Sequence, residues 1–93
     1  MTEHDLKMKV LKAAYENGWM VFHRPAGVIR GSAGIGYPDL TLARDGEVLW
    51  LELKGDGGVM APGQWQWWTA LQPRCHVITP EQWDTGRVGE LLA

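Results

Sequence analysis

The Asp45-Gly46 pair constrains the fold of this chain more than any other two residues. Asp-Gly between two alternating apolar runs is a strong signal for a two-residue β-turn. Here the runs are Leu40-Thr41-Leu42-Ala43 and Val48-Leu49-Trp50-Leu51. Such a loop pairs Arg44 with Glu47, and the rest of the register is arithmetic: Ala43 meets Val48, Leu42 meets Leu49, Thr41 meets Trp50 and Leu40 meets Leu51. Asp39 and Glu52 are the next pair. Strict alternation puts Leu40, Leu42, Leu49, Leu51 and Leu53 on one face and Asp39, Thr41, Trp50, Glu52 and Lys54 on the other. The spacing thus predicts strands near 39–44 and 47–54, with one face for packing and one carrying ionisable groups.

The flanking segments supply the other layers. Thr2 and Asp5 have capping-box spacing, and Glu3 sits in the same first turn, where the helix dipole favours an acid. Leu6, Val10, Ala13 and Ala14 repeat at helical intervals, widened by Leu11 and Tyr15, and Gly18 suits a helix C-cap, so a helix is predicted over 3–17. Trp19–His23 reads as a short buried strand, and residues 24–38, with four glycines, as a loop. After Gly55-Asp56-Gly57-Gly58, Pro62 opens a second helix to about Gln72, with Trp65 and Trp68 assigned to the core and Trp67 to the surface. Cys75–Thr79 is a last strand. A terminal helix then carries Trp83, Val88, Leu91 and Leu92 and is interrupted at Gly86 or Gly89. The result is one α/β domain over residues 1–93, in the order helix, strand, strand, strand, helix, strand, helix.

Composition restricts the partners. A formal charge of −2 and a pI near 5.8 lack the basic excess usual in nucleic-acid binders, although Lys7, Lys9, Lys12, Arg24 and Arg30 all fall in the first third. The single cysteine, Cys75, excludes an internal disulfide and reads as a buried structural thiol in a reducing compartment. With no signal sequence and no apolar run of membrane-spanning length, a soluble cytoplasmic protein is expected.

The ionisable face poses an electrostatic problem. Directly opposed residues have Cβ atoms roughly 4.5–5.5 Å apart, so Asp39 and Glu52 repel unless a positive charge offsets them. A divalent cation does so naturally, with the Leu53 backbone carbonyl as a further oxygen ligand. Lys54 projects beside Glu52 at about 6.5–7 Å. Two acids, an ion and an ammonium suit metal-assisted phosphodiester hydrolysis. The competing reading is a surface cluster in which Lys54 simply bridges the two acids, an arrangement worth little.

Gly36-Tyr37-Pro38-Asp39, then Glu52-Leu53-Lys54, then Gln64 near a helix start, resembles the VRR-NUC branch of the PD-(D/E)xK nuclease superfamily. The motifs span residues 36–68, and the element order matches that superfamily across almost the whole chain. The resemblance implies a restriction-endonuclease-like αβββαβ core, a central mixed sheet flanked by helices, with a short C-terminal helix. It implies Asp39 and Glu52 as ligands of Mg²⁺, with Mn²⁺ able to substitute, and Lys54 as the catalytic lysine. Gln64 would contact the lysine, water or phosphate. Glu3 matches the acid of the family's first helix, though Lys7 stands where that helix often has glutamine.

Several residues keep two readings. Glu3 is either a site residue or a helix-dipole partner, with Asp5 as the rival acid. Gln64 either joins the site or caps its own helix. Arg24, Arg30 and Lys7 are candidate nucleic-acid contacts, or solvated. The function expected from the resemblance is a structure-selective DNA endonuclease, a homodimer acting on branched DNA such as a Holliday junction, of phage replication or repair type in a bacterial host. A catalytically weak nucleic-acid-binding module and a partner-binding subunit are the alternatives.

Overall fold

The computed structural model describes residues 1–23 and 35–93. Among them, α1 (Glu3–Glu16) leads into β1 (Met20–His23), and β2 (Leu40–Arg44) and β3 (Glu47–Leu53) form the hairpin. Then come α2 (Pro62–Ala70), β4 (Cys75–Ile78), α3 (Pro80–Asp84) and α4 (Arg87–Leu92). The strands form one mixed sheet in the order β1-β2-β3-β4, antiparallel except for the β3–β4 pair. This is the expected mixed α/β architecture, a sheet flanked by helices. The C-terminal helix is broken at Gly86, whose φ of 82° lies in the left-handed region, while Gly89 continues inside α4.

The hairpin has the register derived from its turn, from Arg44 opposite Glu47 to Leu40 opposite Leu51. Asp45 at φ 50° and Gly46 at φ 82° take the left-handed conformation at both central positions, as a turn matched to strand twist requires. Leu40, Leu42, Leu49, Leu51 and Leu53 are all buried, in one cluster with Leu6, Val10, Leu11 and Ala14 of α1 and Val88 and Leu92 of α4. The α1 cap is reciprocal: Asp5 N–H donates to Thr2 Oγ1 at 3.1 Å and Thr2 N–H to Asp5 Oδ2 at 3.3 Å. These bonds hold the Asp5 carboxyl below its usual pKa and commit it to capping. At the other end Arg44 donates to the carbonyls of Asn17 and Leu92 and lies 4.1 Å over the Trp19 ring.

Three expectations need correction. Trp19 is buried but precedes the strand, and β1 is an edge strand with Met20 and Phe22 exposed. The apolar run therefore marks an edge covered on one face rather than a buried strand. The tryptophans of α2 are also rotated from the expected phase. Trp65 is 48% exposed, Trp67 is half-buried against Tyr37, and α2 contributes no residue to the main core. Three tryptophans in four residues leave no polar side to define which way the helix faces. Finally, Tyr15 is exposed, so the inward stripe of α1 is narrower than the sequence pattern indicates.

Candidate active site

The ladder of the hairpin ends at Leu40–Leu51, and beyond that pair side chains take over from the backbone. Trp50 N–H and Lys54 N–H donate to the Arg74 and Ile78 carbonyls, so the even residues of β3 turn their backbone groups toward β4. Leu53 therefore turns its N–H and C=O toward β2. Continuing the register, its opposite number is Pro38, which has no N–H to give. Asp39 closes the gap: its Oδ2 accepts the Leu53 N–H at 2.8 Å. Asp39 is thus not a ladder partner of Glu52, as the pairing arithmetic had it. The proline breaks regular pairing one step early, and the carboxylate substitutes for a backbone acceptor. The two acids still belong to one place, since Asp39 is pinned to the residue after Glu52.

Glu52, at 3% exposure, is the one buried charged residue among the described residues. Its Oε2 accepts from Gln64 Nε2 at 3.0 Å and lies 3.8 Å from Lys54 Nζ. Lys54 donates to Gln64 Oε1 at 2.9 Å, and the same oxygen accepts the Ala61 N–H at 2.8 Å. Gln64 thus contacts Lys54 and Glu52 and also caps its own helix. Its amide satisfies an orphan donor at the start of α2, and that bond fixes which end of the amide faces the lysine and which faces Glu52. Lys54 does pair with Glu52, but not at the surface, because its side chain is only 12% exposed.

Two close backbone approaches assemble these parts. Gly36, at φ 85°, packs on the start of α2, where a Cβ would lie 2.5 Å from the Gln64 backbone nitrogen. Gly55 packs on the start of α1, where a Cβ would lie 2.5 Å from the Glu3 nitrogen. The second contact brings Glu3 beside the end of β3, but its side chain is exposed, and among the described residues no hydrogen bond or ion pair links it to the site. Lys7 is half-buried one turn further along α1 and has no such link either. Arg24 and Arg30 lie outside the described residues.

Sequence reasoning missed the aromatic setting. Trp50 Nε1 donates to the Tyr37 hydroxyl at 2.9 Å, and the Tyr37 ring meets Trp67 edge-on, with centroids 4.9 Å apart. Trp50 shares the sheet face of Glu52, and Tyr37 stands inside the motif, so the residues were visible but their contact was not. Cys75 is also buried, and that burial, reinforced by the charge of Glu52, pushes its thiol up to about 11. A thiol so shifted stays protonated at neutral pH, as suits a structural role. A cleft of about 620 Å³ lies elsewhere, along β4 between Trp65 and Trp68 of α2 and Arg87 and Leu91 of α4. Burial there lowers the His76 pKa.

The donor set fits a hard cation. Asp39 and Glu52 offer carboxylate oxygens, and Leu53 has a backbone carbonyl on the β2 side of β3. No group of three or more His, Cys, Asp or Glu side chains suited to a metal occurs among the described residues. A cation here would have two carboxylates and backbone to meet, a set that suits an ion retaining several waters. No helix among the described residues is long and apolar enough to cross a membrane. Comparison with models of known families, with curated proteins and with solved structures found no match.

Proposed function

We propose that this chain is a divalent-metal-dependent DNA endonuclease of the VRR-NUC type that hydrolyses phosphodiester bonds. One observation carries the reading: a buried glutamate, a shielded lysine and a shared glutamine amide form a continuous relay beside a second carboxylate. A buried charge is costly to fold around, and groups of this kind cluster at functional sites.

Asp39, Glu52 and the Leu53 carbonyl would hold Mg²⁺ or Mn²⁺. Once bound, the ion supplies Lewis acidity, polarising the phosphate and acidifying water. The rest is the work of the chain. The Lys54 ammonium donates to a non-bridging phosphate oxygen or to the attacking water, stabilising charge that grows as the new P–O bond forms and the ester P–O bond breaks. Gln64 keeps the ammonium at one position, so little reorganisation accompanies the reaction. Glu52 completes a negative locus that a cation and a lysine together offset, which removes part of the objection raised by the acidic net charge.

Branched DNA as the preferred substrate, and a homodimer whose two sites reach paired strands, belong to the same proposal. A cytoplasmic setting of phage replication or repair does too. Incubation with a labelled four-way junction and Mg²⁺ or Mn²⁺ is expected to give paired nicks. No product with either ion on junction, flap, nicked and linear DNA would sink the reading. Titration calorimetry with Mn²⁺ is expected to show binding in the native chain and none in Asp39→Ala or Glu52→Ala. Light scattering checks the dimer.

A further inference from the structure

We infer that Tyr37 is a positioning residue: its hydroxyl, held by Trp50, and its ring, held by Trp67, set the pose of the Asp39 carboxylate. The inference deepens the metal-site reading above and rests on it for its chemical meaning. Between Gly36 and Asp39 the backbone has few free torsions. Gly36 is wedged against the first turn of α2, and Pro38 has its φ fixed by its ring. The residue before a proline is itself confined to extended conformations, which restricts Tyr37. The Tyr37 side chain is thus a further handle, beside the Leu53 amide and the β2 ladder, by which the rest of the molecule can place Asp39.

That handle is gripped on two sides. Trp50 Nε1 donates to the hydroxyl at 2.9 Å from β3, two residues before Glu52, and Thr41 Oγ1 lies 3.4 Å away on β2. Trp67 meets the ring at 76° between planes, from the helix that carries Gln64. The segment bearing Asp39 is therefore referenced to the strand bearing Glu52 and to the helix bearing the amide that orients Lys54. One aromatic clamp sets the spacing of all three.

The Leu53 amide reports the pose of Asp39 directly, because its N–H donates to Asp39 Oδ2. Tyr37→Phe removes the hydroxyl, and Trp50→Phe removes the donor while keeping a ring. In both variants, without any metal, amide hydrogen exchange followed by NMR is expected to speed up tenfold or more at Leu53 and to stay unchanged at Leu49 and Leu51. Unchanged exchange at Leu53 would overturn the inference. So would an equal rise at all three amides, which would mark general loosening of the sheet. Calorimetric titration then adds the functional half. Tyr37→Phe is expected to bind Mn²⁺ about tenfold more weakly, a change of about 1.4 kcal/mol. Native affinity in a variant whose Leu53 amide has opened would break the link between clamp and ion. Absence of Mn²⁺ binding in the native chain, with the exchange result intact, would instead remove the metal-site reading and leave the clamp standing.

Discussion

The two faces of the β2–β3 hairpin are made from alternate residues of the same strands, yet they are built on opposite principles. Leu51 and Leu53 point into a core closed by α1 and α4, where removal from water supplies the stabilisation. Glu52 and Lys54, one residue away in each case, point to the other face, where α2 covers a charge with specific donors. The first face tolerates any well-shaped apolar filling. The second depends on one amide having its oxygen and nitrogen the right way round. Neighbouring residues of one strand should therefore fail in different ways.

Substitutions one on each face tell the two apart most directly. Leu51→Ala is expected to cost about 2–5 kcal/mol, seen as a fall in Tm on the order of 10 °C or more. Its activity per folded molecule should stay near native. Lys54→Met should instead lower turnover per folded molecule by roughly 10²–10³-fold, or about 2.7–4 kcal/mol of transition-state stabilisation, while Mn²⁺ binding changes little. A loss of metal affinity in Lys54→Met, or of turnover per folded molecule in Leu51→Ala, would show that the two faces are not separable.

A pair of glycines sharpens the point at lower energy. Gly46 and Gly36 have nearly the same φ, 82° and 85°, but a Cβ on Gly46 meets nothing within 4 Å. Gly46→Ala should cost only the backbone term, about 1–2 kcal/mol. Gly36→Ala should add about 1–3 kcal/mol for overlap with α2, and with it a loss of turnover that Gly46→Ala does not show. Urea denaturation beside a cleavage assay separates the two.

The smallest effect concerns pH. The Cys75 thiol is held up to about 11 against an ordinary 9.0, so between those values the folded chain keeps a proton that the unfolded chain releases. Its contribution to stability is complete below pH 9 and is lost as pH rises toward 11. Cys75→Ala should flatten that stretch of the profile when urea midpoints are compared at about pH 8 and about pH 10.

These differences also explain what could be read from the chain alone. The hairpin register and the leucine face come from Asp45-Gly46 and period-two alternation, both of which act within a few residues. The α1 cap was legible for the same reason. Glu52 could be named but not known to be buried, because its cover comes from α2, and the roles of Trp65 and Trp67 turned on a helix phase that three neighbouring tryptophans conceal. Asp39 was placed one step too far along the ladder, since Pro38 stops regular pairing before it. Tyr37 stood in the motif without a role, because its partners Trp50 and Trp67 lie 13 and 30 residues away.

The shielding of Lys54 has a practical side. The chain has four lysines, Lys7, Lys9, Lys12 and Lys54. The Lys12 side chain is 81% exposed, whereas that of Lys54 is 12% exposed, with its ammonium bonded to Gln64. An amine-acylating reagent should therefore label the exposed Lys9 and Lys12 early and Lys54 last. Treated briefly, the protein becomes a probe of its own site, since any substrate or variant that loosens Gln64 will bring the slowest lysine forward in the order of labelling.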